Sequence, residues 1–468
     1  MKGAFMNSHF KPKKFAGIEI PSGLARGNFF FLYVNTLLIG MLMIIPNIIQ
    51  PAFLKDVIQV SDDVFGFTNG FLQNISQVAT LAFVGIVGFL SDRIGRKILA
   101  FIGFFILVFF YYLLGMSRDI AAILHIPEGL AADICAFISF APSRAADFAD
   151  FAPGLLVAYG LRLIVGIGLI LCYPQFITMV SDYTYQKDRG KAMALNGIMM
   201  GLASIIIFAL VAPLGKVIGL NGLFALTSAI AFAGVVFTWF FLKERRTESK
   251  GEDKKSVLDI MKVVVKSPSL KATYLCSLIS RPDMSITSLF VIVWAVQAGV
   301  QLQMSAETAT QAGAKPMIVM SMATFLIFPL VGMMLDRWGR IQTVILTLFM
   351  GGIGLVLLGL SPSPFSVMTM GAVVLIGMGY AGAITGANTL ATDASPKHFV
   401  GSVLGGLNTM MPIGIIFFQQ LGGYLFDVLG PGWIFGIKGV ANILLAVWLF
   451  IIRKKIYAEM KSTANKGG

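Results

Sequence analysis

Charged residues are scarce in this sequence, and their scarcity excludes most soluble architectures. Only 13% of the 468 residues are Asp, Glu, Lys or Arg, whereas a typical soluble domain has about 25%. Hydrophobic residues reach 57% and the mean hydropathy is +0.83. Disordered, collagen-like and coiled-coil chains have other compositions. Most of this chain is therefore expected to lie in lipid.

Cysteine and histidine are equally rare, with three of each. The cysteines are scattered along the chain, so no disulfide framework is predicted. All three histidines fall in predicted tails or loops, which excludes a histidine metal site or a Ser-His-Asp triad inside the apolar segments. No nucleotide-binding P-loop is present. The sequence thus predicts no cofactor, no metal and no enzyme activity.

The apolar residues form about twelve stretches, each long enough for a membrane helix of roughly 20 residues. Six lie within residues 28–242 and six within residues 272–452. The polar, basic residues 1–27 do not resemble a cleavable signal peptide, because they lead directly into a span that is too long for one. We expect an all-α integral membrane protein with twelve transmembrane helices.

The distribution of Lys and Arg predicts the orientation of these spans, because basic residues collect in cytoplasmic loops. With the N-terminus inside, the inner segments hold 28 Lys and Arg and the outer loops hold 5. Residues 1–27 and 453–468 are therefore expected to be cytoplasmic tails of a protein of the cytoplasmic membrane. The same distribution explains the net charge of +13 without a nucleic-acid partner.

Two segments do not span. Residues 243–271 form a charged linker in which apolar residues recur at helical spacing, so an amphipathic helix on the inner membrane face is expected. Residues 119–152 form an outer insertion. Its acidic residues and single histidine match no metal-ligand spacing, and we expect a cap over the outer mouth.

The strongest feature of the chain is an internal repeat. Five residues recur at an offset of 244, and Lys97 extends the first copy: Gly88, Asp92, Arg93, Gly95 and Arg96 return as Gly332, Asp336, Arg337, Gly339 and Arg340. A second set recurs at an offset of 211: Gly166, Gly168, Asp182 and Gly190 return as Gly377, Gly379, Asp393 and Gly401. The difference of 33 has about the size of the 119–152 insertion. The repeat therefore predicts two halves of six spans each, in parallel orientation.

These motifs resemble signatures of the major facilitator superfamily. The resemblance rests on the doubled G-x-x-x-D-R-x-G-R string and on Arg162, Gly166 and Gly168, and it covers nearly the whole chain outside the tails and the insertion. It implies two six-helix bundles related by an axis along the membrane normal. It also implies a central cavity between them and a rocking motion that exposes the cavity to each side in turn.

The doubled motif is expected to act as an inner latch. Asp92 and Asp336 can pair with Arg96 or Arg340, or face a helix N-terminus of the opposite bundle, and such contacts favour the state that is closed on the inside. Asp182 and Asp393 are expected to join this network. The alternative is that all these residues are ordinary loop charges beside a tight glycine turn.

Charges inside a span are costly and mark functional candidates. Asp283 is the one deep acidic residue and the best candidate for carrying a proton, with Arg281 and Arg162 as counter-ions or anion ligands. The alternative is a structural ion pair. Arg281 and Asp283 are two positions apart and should point to different partners. Lys438 is expected to be a snorkelling or structural lysine of a peripheral helix.

Uncharged polar residues within the spans are further candidates for a cavity lining, although hydrogen bonding between helices explains any one of them equally well. They are Asn35, Gln73, Asn74, Gln77, Trp294, Gln297, Asn388 and Asn408.

The resemblance implies a monomeric secondary active transporter of a small organic solute, and proton symport is favoured. Two deep arginines against one deep aspartate favour an anionic or zwitterionic solute. An alternative is a proton-antiport exporter of drugs or metabolites. The fifth span has Gly197 and Gly201 but no Gly-Pro pair, which departs from the pattern of such antiporters. A second alternative is a receptor-like protein that keeps the fold without transport.

Overall fold

The computed structural model describes the backbone of residues 14–245, 257–395 and 400–467. Side chains are described within these ranges except at 92, 186, 257–260, 401 and 462–467. The carboxylate of Asp92, which belongs to the predicted latch, therefore lies outside the described part, as do residues 1–13 of the predicted N-tail and residues 246–256 of the linker.

The described residues are almost entirely helical. The helices of the first half are α1 Arg26–Ile44, α2 Pro46–Ala52, α3 Phe65–Ile94, α4 Arg96–Gly115, α5 Ser117–Ile123, α6 Glu128–Ile138, α7 Ala152–Asp182, α8 Arg189–Ile206 and α9 Ala212–Phe241. Those that follow are α10 Val257–Lys266, α11 Pro268–Ile279, α12 Asp283–Gln301, α13 Ala306–Arg337, α14 Arg340–Gly359, α15 Val367–Ala394, α16 Val400–Leu429 and α17 Gly432–Gly467. The other elements are strands β1 Lys14–Phe15 and β2 Ile18–Glu19, 3₁₀ turns Asp62–Val64, Pro142–Phe148 and Gln186–Asp188, and π turns Phe53–Ile58 and Ile207–Val211.

Eleven stretches of the described residues are long and apolar enough to cross a membrane, against twelve expected from the sequence. The difference lies in Arg189–Phe241, a stretch of 53 residues that counts once. A straight helix of that length would be about 80 Å long, more than twice the thickness of a bilayer core. The backbone leaves the helical conformation at Gly219, with φ 67° and ψ 178°, a region that glycine tolerates. The predicted boundary between the fifth and sixth spans falls at this glycine.

Hydrophobic clusters divide the helices into two groups on either side of the linker. One cluster is built only from residues of the first half, among them Phe104 and Phe176, and another only from residues after the linker, among them Leu348 and Leu449. The largest cluster joins both groups. Each half thus has its own core, and a shared core holds the halves together.

Two segments outside the spans fold against the first half. Strands β1 and β2 form an antiparallel hairpin, and the ring of Phe15 stacks on Tyr33 with centroids 6.0 Å apart. The backbone N–H of Glu19 donates to Asp188 at 3.0 Å, which lowers the pKa of that carboxyl because the hydrogen bond favours the charged form. The predicted N-tail is therefore folded from Lys14 onward.

The insertion is a helical layer with a small-residue buried face. Ala131, Ala132 and Cys135 of α6 are buried, whereas Phe137 is 73% exposed. The backbone carbonyl of Ser139 accepts a hydrogen bond from Gln420 of α16 at 3.5 Å. The insertion therefore reaches from the first half to a helix of the second.

The linker contains the predicted helix, α10. Val264 is buried against Leu270 and Leu407, whereas Met261 and Val265 are exposed. This helix packs on the second half through one face and leaves apolar side chains on the other.

The two halves approach each other most closely where α3 begins and α16 ends. A Cβ atom on Gly423 would lie 2.6 Å from the carbonyl oxygen of Gly66, and one on Gly70 would lie 2.5 Å from the carbonyl oxygen of Gln419. The carboxylate of Asp427 accepts hydrogen bonds from the N–H groups of Gly66 at 2.7 Å and Phe67 at 2.8 Å. These are first-turn donors that a helix leaves unpaired, so Asp427 caps α3 across the boundary between the halves.

The opposite end of α3 lacks such close packing. Val84, Ile86 and Phe89 are all exposed, and at 100° per residue they point in three different directions around the helix. A Cβ atom on Gly85 or Gly88 would meet nothing within 4 Å. The halves are therefore joined at one end of α3 and separated along the other.

We predict that Gly423→Ala destabilises the protein by about 1–3 kcal/mol, since the added methyl group meets backbone that cannot turn away. The control is Gly371→Ala in α15, where a Cβ atom would meet nothing within 4 Å and alanine favours the helix. Thermal unfolding in detergent measures both variants. Equal midpoints would show that the contact between α3 and α16 is not close-packed.

Candidate functional site

Four charged side chains lie buried within candidate spans and away from the ends of those spans. Arg162 is 2% exposed, Arg281 6%, Asp283 3% and Lys438 0%. A charge in such a place needs a partner, because removing an ion from water costs several kcal/mol. The partners of these four residues therefore define the candidate site.

Three of the four charges meet at a break in the seventh span. Helix α11 ends at Ile279 and α12 begins at Asp283, with Pro282 between them, a residue that has no N–H to continue the helix. The carbonyl oxygen of Ile279 accepts a hydrogen bond from the ammonium group of Lys438. A broken helix at membrane depth is tolerated only where its backbone groups find such partners.

Asp283 and Lys438 form a buried ion pair across this break. The ammonium Nζ lies 2.6 Å from Asp283 Oδ1, and Asn442 Nδ2 donates to Asp283 Oδ2 at 2.6 Å. The carboxylate also lies in the first turn of α12, where the helix dipole favours negative charge. Lys438 thus contacts the end of α11 and the start of α12 at once. Of the two roles expected for Lys438, snorkelling to the surface is wrong and a structural role is found, because the last span packs against the break.

Arg281 has different partners, as its two-residue separation from Asp283 predicts. Its guanidinium donates to Asn408 Oδ1 at 3.0 Å, to Asn388 Oδ1 at 3.1 Å and to Ser277 Oγ at 3.2 Å. All three acceptors are uncharged, and within the described residues Arg281 has no ion pair. Asn408 is exposed, so this cation lies beside an open surface of α16.

Arg162 lies inside the first half. Its Nη2 donates to Gln73 Oε1 at 2.7 Å, Gln73 donates to Asn47 at 3.3 Å, and Asn47 donates to Ser288 Oγ of α12 at 2.8 Å. The Nε and Nη1 groups of Arg162 have no partner among the described residues. The guanidinium borders a cavity of about 10 Å³ lined in part by Tyr111, which is about the size of one water molecule.

The structure separates the other polar candidates by location. Asn74 donates to the Ile416 carbonyl at 3.1 Å and to Gln420 at 3.3 Å, which places it between the halves beside Gln73. Asn35 instead accepts from Thr238 at 3.3 Å within the first half.

Three further candidates show no contact of this kind. Trp294 is 7% exposed and its ring lies 6.4 Å from that of Phe435, which is packing between α12 and α17. Gln77 and Gln297 are half-buried, and no side-chain hydrogen bond of theirs is found in the described part of the chain.

The doubled motif forms the same arrangement in both halves. Gly95 has φ 112° and Gly339 has φ 101°, and these two glycines make the turns from α3 to α4 and from α13 to α14. Each turn is followed by an arginine that forms an ion pair with an acidic residue of a neighbouring span: Arg96 with Asp182, and Arg340 with Asp393. The two sequence repeats thus produce equivalent ion pairs in the two halves.

The expected pairing of Asp336 with Arg340 is not seen, because Arg340 instead pairs with Asp393. Asp336 is exposed and has no ion pair within the described residues. Arg337 is exposed beside it. Gly332 and Gly88 border open space.

The remaining basic residues of the first motif contact aromatic rings. The guanidinium of Arg93 lies 4.3 Å from the ring centroid of Phe89, and Lys97 Nζ lies 5.6 Å from that of Trp239. The backbone N–H of Lys97 also donates to Glu244 at 2.9 Å. Both ion pairs of the doubled motif join helices of the same half.

Sequence reasoning did not pair Lys438 with Asp283, and it missed Asn442 and Asp427. A signal existed for the first, because Lys438 and Asp283 are opposite charges buried in different spans and each needs a partner. No sequence pattern gives the depth at which α17 crosses α12, so Asn442 had no signal. Asp427 lies near the end of its span, so in the sequence it looks like an ordinary charge at a span terminus.

The chain belongs to the Major Facilitator Superfamily, whose model matches residues 30–314 and 274–465. It is 28% identical over 427 residues to magnetosome protein MamH of Paramagnetospirillum magneticum strain AMB-1, a match that covers 91% of this chain and 92% of that protein. It is 25% identical to magnetosome protein MamZ of the same strain, covering 88% of this chain and 61% of MamZ. Neither name states a substrate.

Solved structures of transporters share this fold. A D323A mutant of the nucleoside transporter NupG superposes with a TM-score of 0.69 at 13% identity, covering 91% of this chain and 99% of that one. A D-xylose-proton symporter gives 0.64 at 16% identity, covering 90% and 96%. A POT family transporter in complex with 5-aminolevulinic acid gives 0.66 at 12% identity, covering 95% and 98%. At these identities the likeness concerns the fold alone.

We predict that Lys438→Met destabilises the protein by about 3–5 kcal/mol, because Asp283 is then buried without its partner. The double variant Lys438→Met with Asp283→Asn should recover most of that loss, since no unpaired charge remains. The exposed Lys216, changed to Met, is the control. Thermal unfolding is the measurement, and additive losses in the double variant would contradict the pair.

Proposed function

We propose that the protein is a secondary active transporter that moves a small organic solute by alternating access. The observation that carries this proposal is the asymmetric contact between the halves, which are close-packed from Gly66 to Gly70, still joined by hydrogen bonds at Asn74, and separated from Val84 onward along α3. The buried charges lie between the close-packed end and the separated end of this contact. A protein that opens a central site to one side at a time needs this arrangement.

Twelve crossings with both termini in the cytoplasm are part of the proposal. The break at Gly219 divides the 53-residue stretch into two helices of membrane length. The excess of Lys and Arg in the inner segments supports the orientation and residence in the cytoplasmic membrane. In this orientation the contact from Gly66 to Gly70 is extracytoplasmic, and the conformation is open to the inside.

We propose that the solute binds at Arg281. Its guanidinium contacts only uncharged acceptors among the described residues, and Asn408 connects it to the open side. A carboxylate or phosphate group of a solute would provide the missing negative charge and accept a bidentate pair of hydrogen bonds. An anionic or zwitterionic solute is therefore favoured.

We propose that Asp283 couples transport to protons. The carboxylate is held by Lys438 and Asn442, and a proton on Asp283 would remove the attraction that holds Lys438 across the break. The two parts of the seventh span would then be free to change their angle. Solute and proton would enter together, which is symport.

The doubled motif is proposed as the inner latch. In this conformation its arginines pair with Asp182 and Asp393 inside their own halves. Closure on the inside would bring the exposed Asp336 and Arg337 towards the opposite half, where they can form contacts that exist only in the other state.

Untargeted mass spectrometry of cells and medium, with and without the gene, tests the function. A solute that stays in the medium of cells lacking the protein would identify an importer, and one that accumulates inside them would identify the exporter alternative. An unchanged set of solutes under several growth conditions would contradict transport and favour a receptor-like role.

We predict that Asp283→Asn abolishes accumulation driven by a pH gradient but leaves exchange of labelled for unlabelled solute. The amide has nearly the shape of the carboxyl but cannot take up a proton. The assay uses purified protein in vesicles, with the exposed Asp133→Asn as control. The double variant with Lys438→Met provides a second test if the single variant folds poorly. Gradient-driven accumulation by these variants would disprove the assignment of Asp283.

A further inference from the structure

A groove runs along the outer surface of the second half between α14 and α17, on the side away from the first half. Its volume is about 610 Å³, within the range of small-molecule sites. The lining consists of six apolar residues and three polar ones: Ile345, Leu346, Phe349, Ala446, Val447, Phe450, Gln342, Arg453 and Tyr457.

The polar residues lie together at one end of this groove. Gln342 is in the first turn of α14, and Arg453 follows the last isoleucine pair of α17, where the sequence turns basic with Lys454 and Lys455. Phe349 lies seven residues beyond Gln342, or about 10 Å deeper at 1.5 Å per residue. The groove is thus polar at the level where both helices leave the apolar layer, and apolar below it.

Arg453 packs on an aromatic ring and has no ion-pair partner among the described residues. Its guanidinium lies 3.4 Å from the ring centroid of Phe450, and no ion pair or hydrogen bond of Arg453 is found within the described residues. Among the described residues that line the groove, none is acidic. The nearby acid of α17, Glu459, instead accepts hydrogen bonds from the N–H and hydroxyl of Ser269.

We propose that this groove binds an anionic phospholipid of the leaflet that faces the two termini. Arg453 would bind the phosphate, since a guanidinium forms strong charge-assisted hydrogen bonds to phosphate oxygens, and the basic residues beside it would attract the anionic headgroup. One acyl chain would fill the apolar part along Phe349 and Val447. The lipid would cover the apolar surface between the first part of α14 and the last part of the membrane-spanning portion of α17.

Native mass spectrometry of the whole protein tests the site, with phosphatidylglycerol and phosphatidylcholine titrated in turn. Arg453→Gln should weaken the tightest phosphatidylglycerol binding about tenfold, as the loss of a charge-assisted hydrogen bond predicts, and Arg453→Lys should lose less. Val447→Trp should displace the lipid by filling the groove while every charge stays in place. The matched control is Arg189→Gln, an exposed arginine outside the groove.

Loss of phosphatidylglycerol in both groove variants, with the control unchanged, supports the site. Equal binding by all variants would overturn it, and so would equal loss in Arg189→Gln, which would show non-specific attraction to surface charge. Competition by soluble glycerol phosphate as strong as that by the lipid would overturn the lipid assignment. A change from dimer to monomer in Val447→Trp would show that a second copy of the chain occupies the groove.

Discussion

The ion pair between Asp283 and Lys438 is the interaction on which the rest of the site depends. The seventh span breaks at Pro282, and the break leaves an unpaired carbonyl and a helix N-terminus inside the apolar layer. Lys438 contacts both, through Ile279 and Asp283. Arg281, in the loop between the two helices, takes no part in this pair and instead donates hydrogen bonds to Asn388 and to Asn408 at the open surface of α16.

The second constraint is the close approach of α3 and α16. Glycines at Gly66, Gly70 and Gly423 allow backbone to meet backbone, and Asp427 adds two hydrogen bonds to the end of α3. The contact at this end thus combines close backbone approach and one carboxylate with the shared hydrophobic core, to which Phe65 and Phe426 belong. In the proposed function this end of α3 is closed in this conformation, while its other end, which carries the first copy of the doubled motif, lies on the open side.

Part of this could be predicted from sequence because it depends on local pattern or on repetition. The repeated offset implied two equivalent turns, and the structure has them at Gly95 and Gly339 with matching ion pairs. The helical spacing in the linker predicted α10. Twelve spans were expected, whereas eleven stretches of the described residues are long and apolar enough to span, because the turn at Gly219 joins two apolar helices within one stretch. The partner of Lys438 was not predicted, because the sequence does not say which face of the last span meets the seventh.

By itself the sequence determined membership in a membrane-spanning, helical, internally repeated class, since composition and periodicity respond to the solvent around each residue. It also located three of the four buried charges, Arg162, Arg281 and Asp283, but did not decide the depth of Lys438. Only the tertiary structure decided which charge meets which. Arg162 points into the first half, Arg281 towards the open boundary, and Asp283 to Lys438, 155 positions away in the chain. Partners so distant are chosen by the packing of whole helices, which no local pattern of residues encodes.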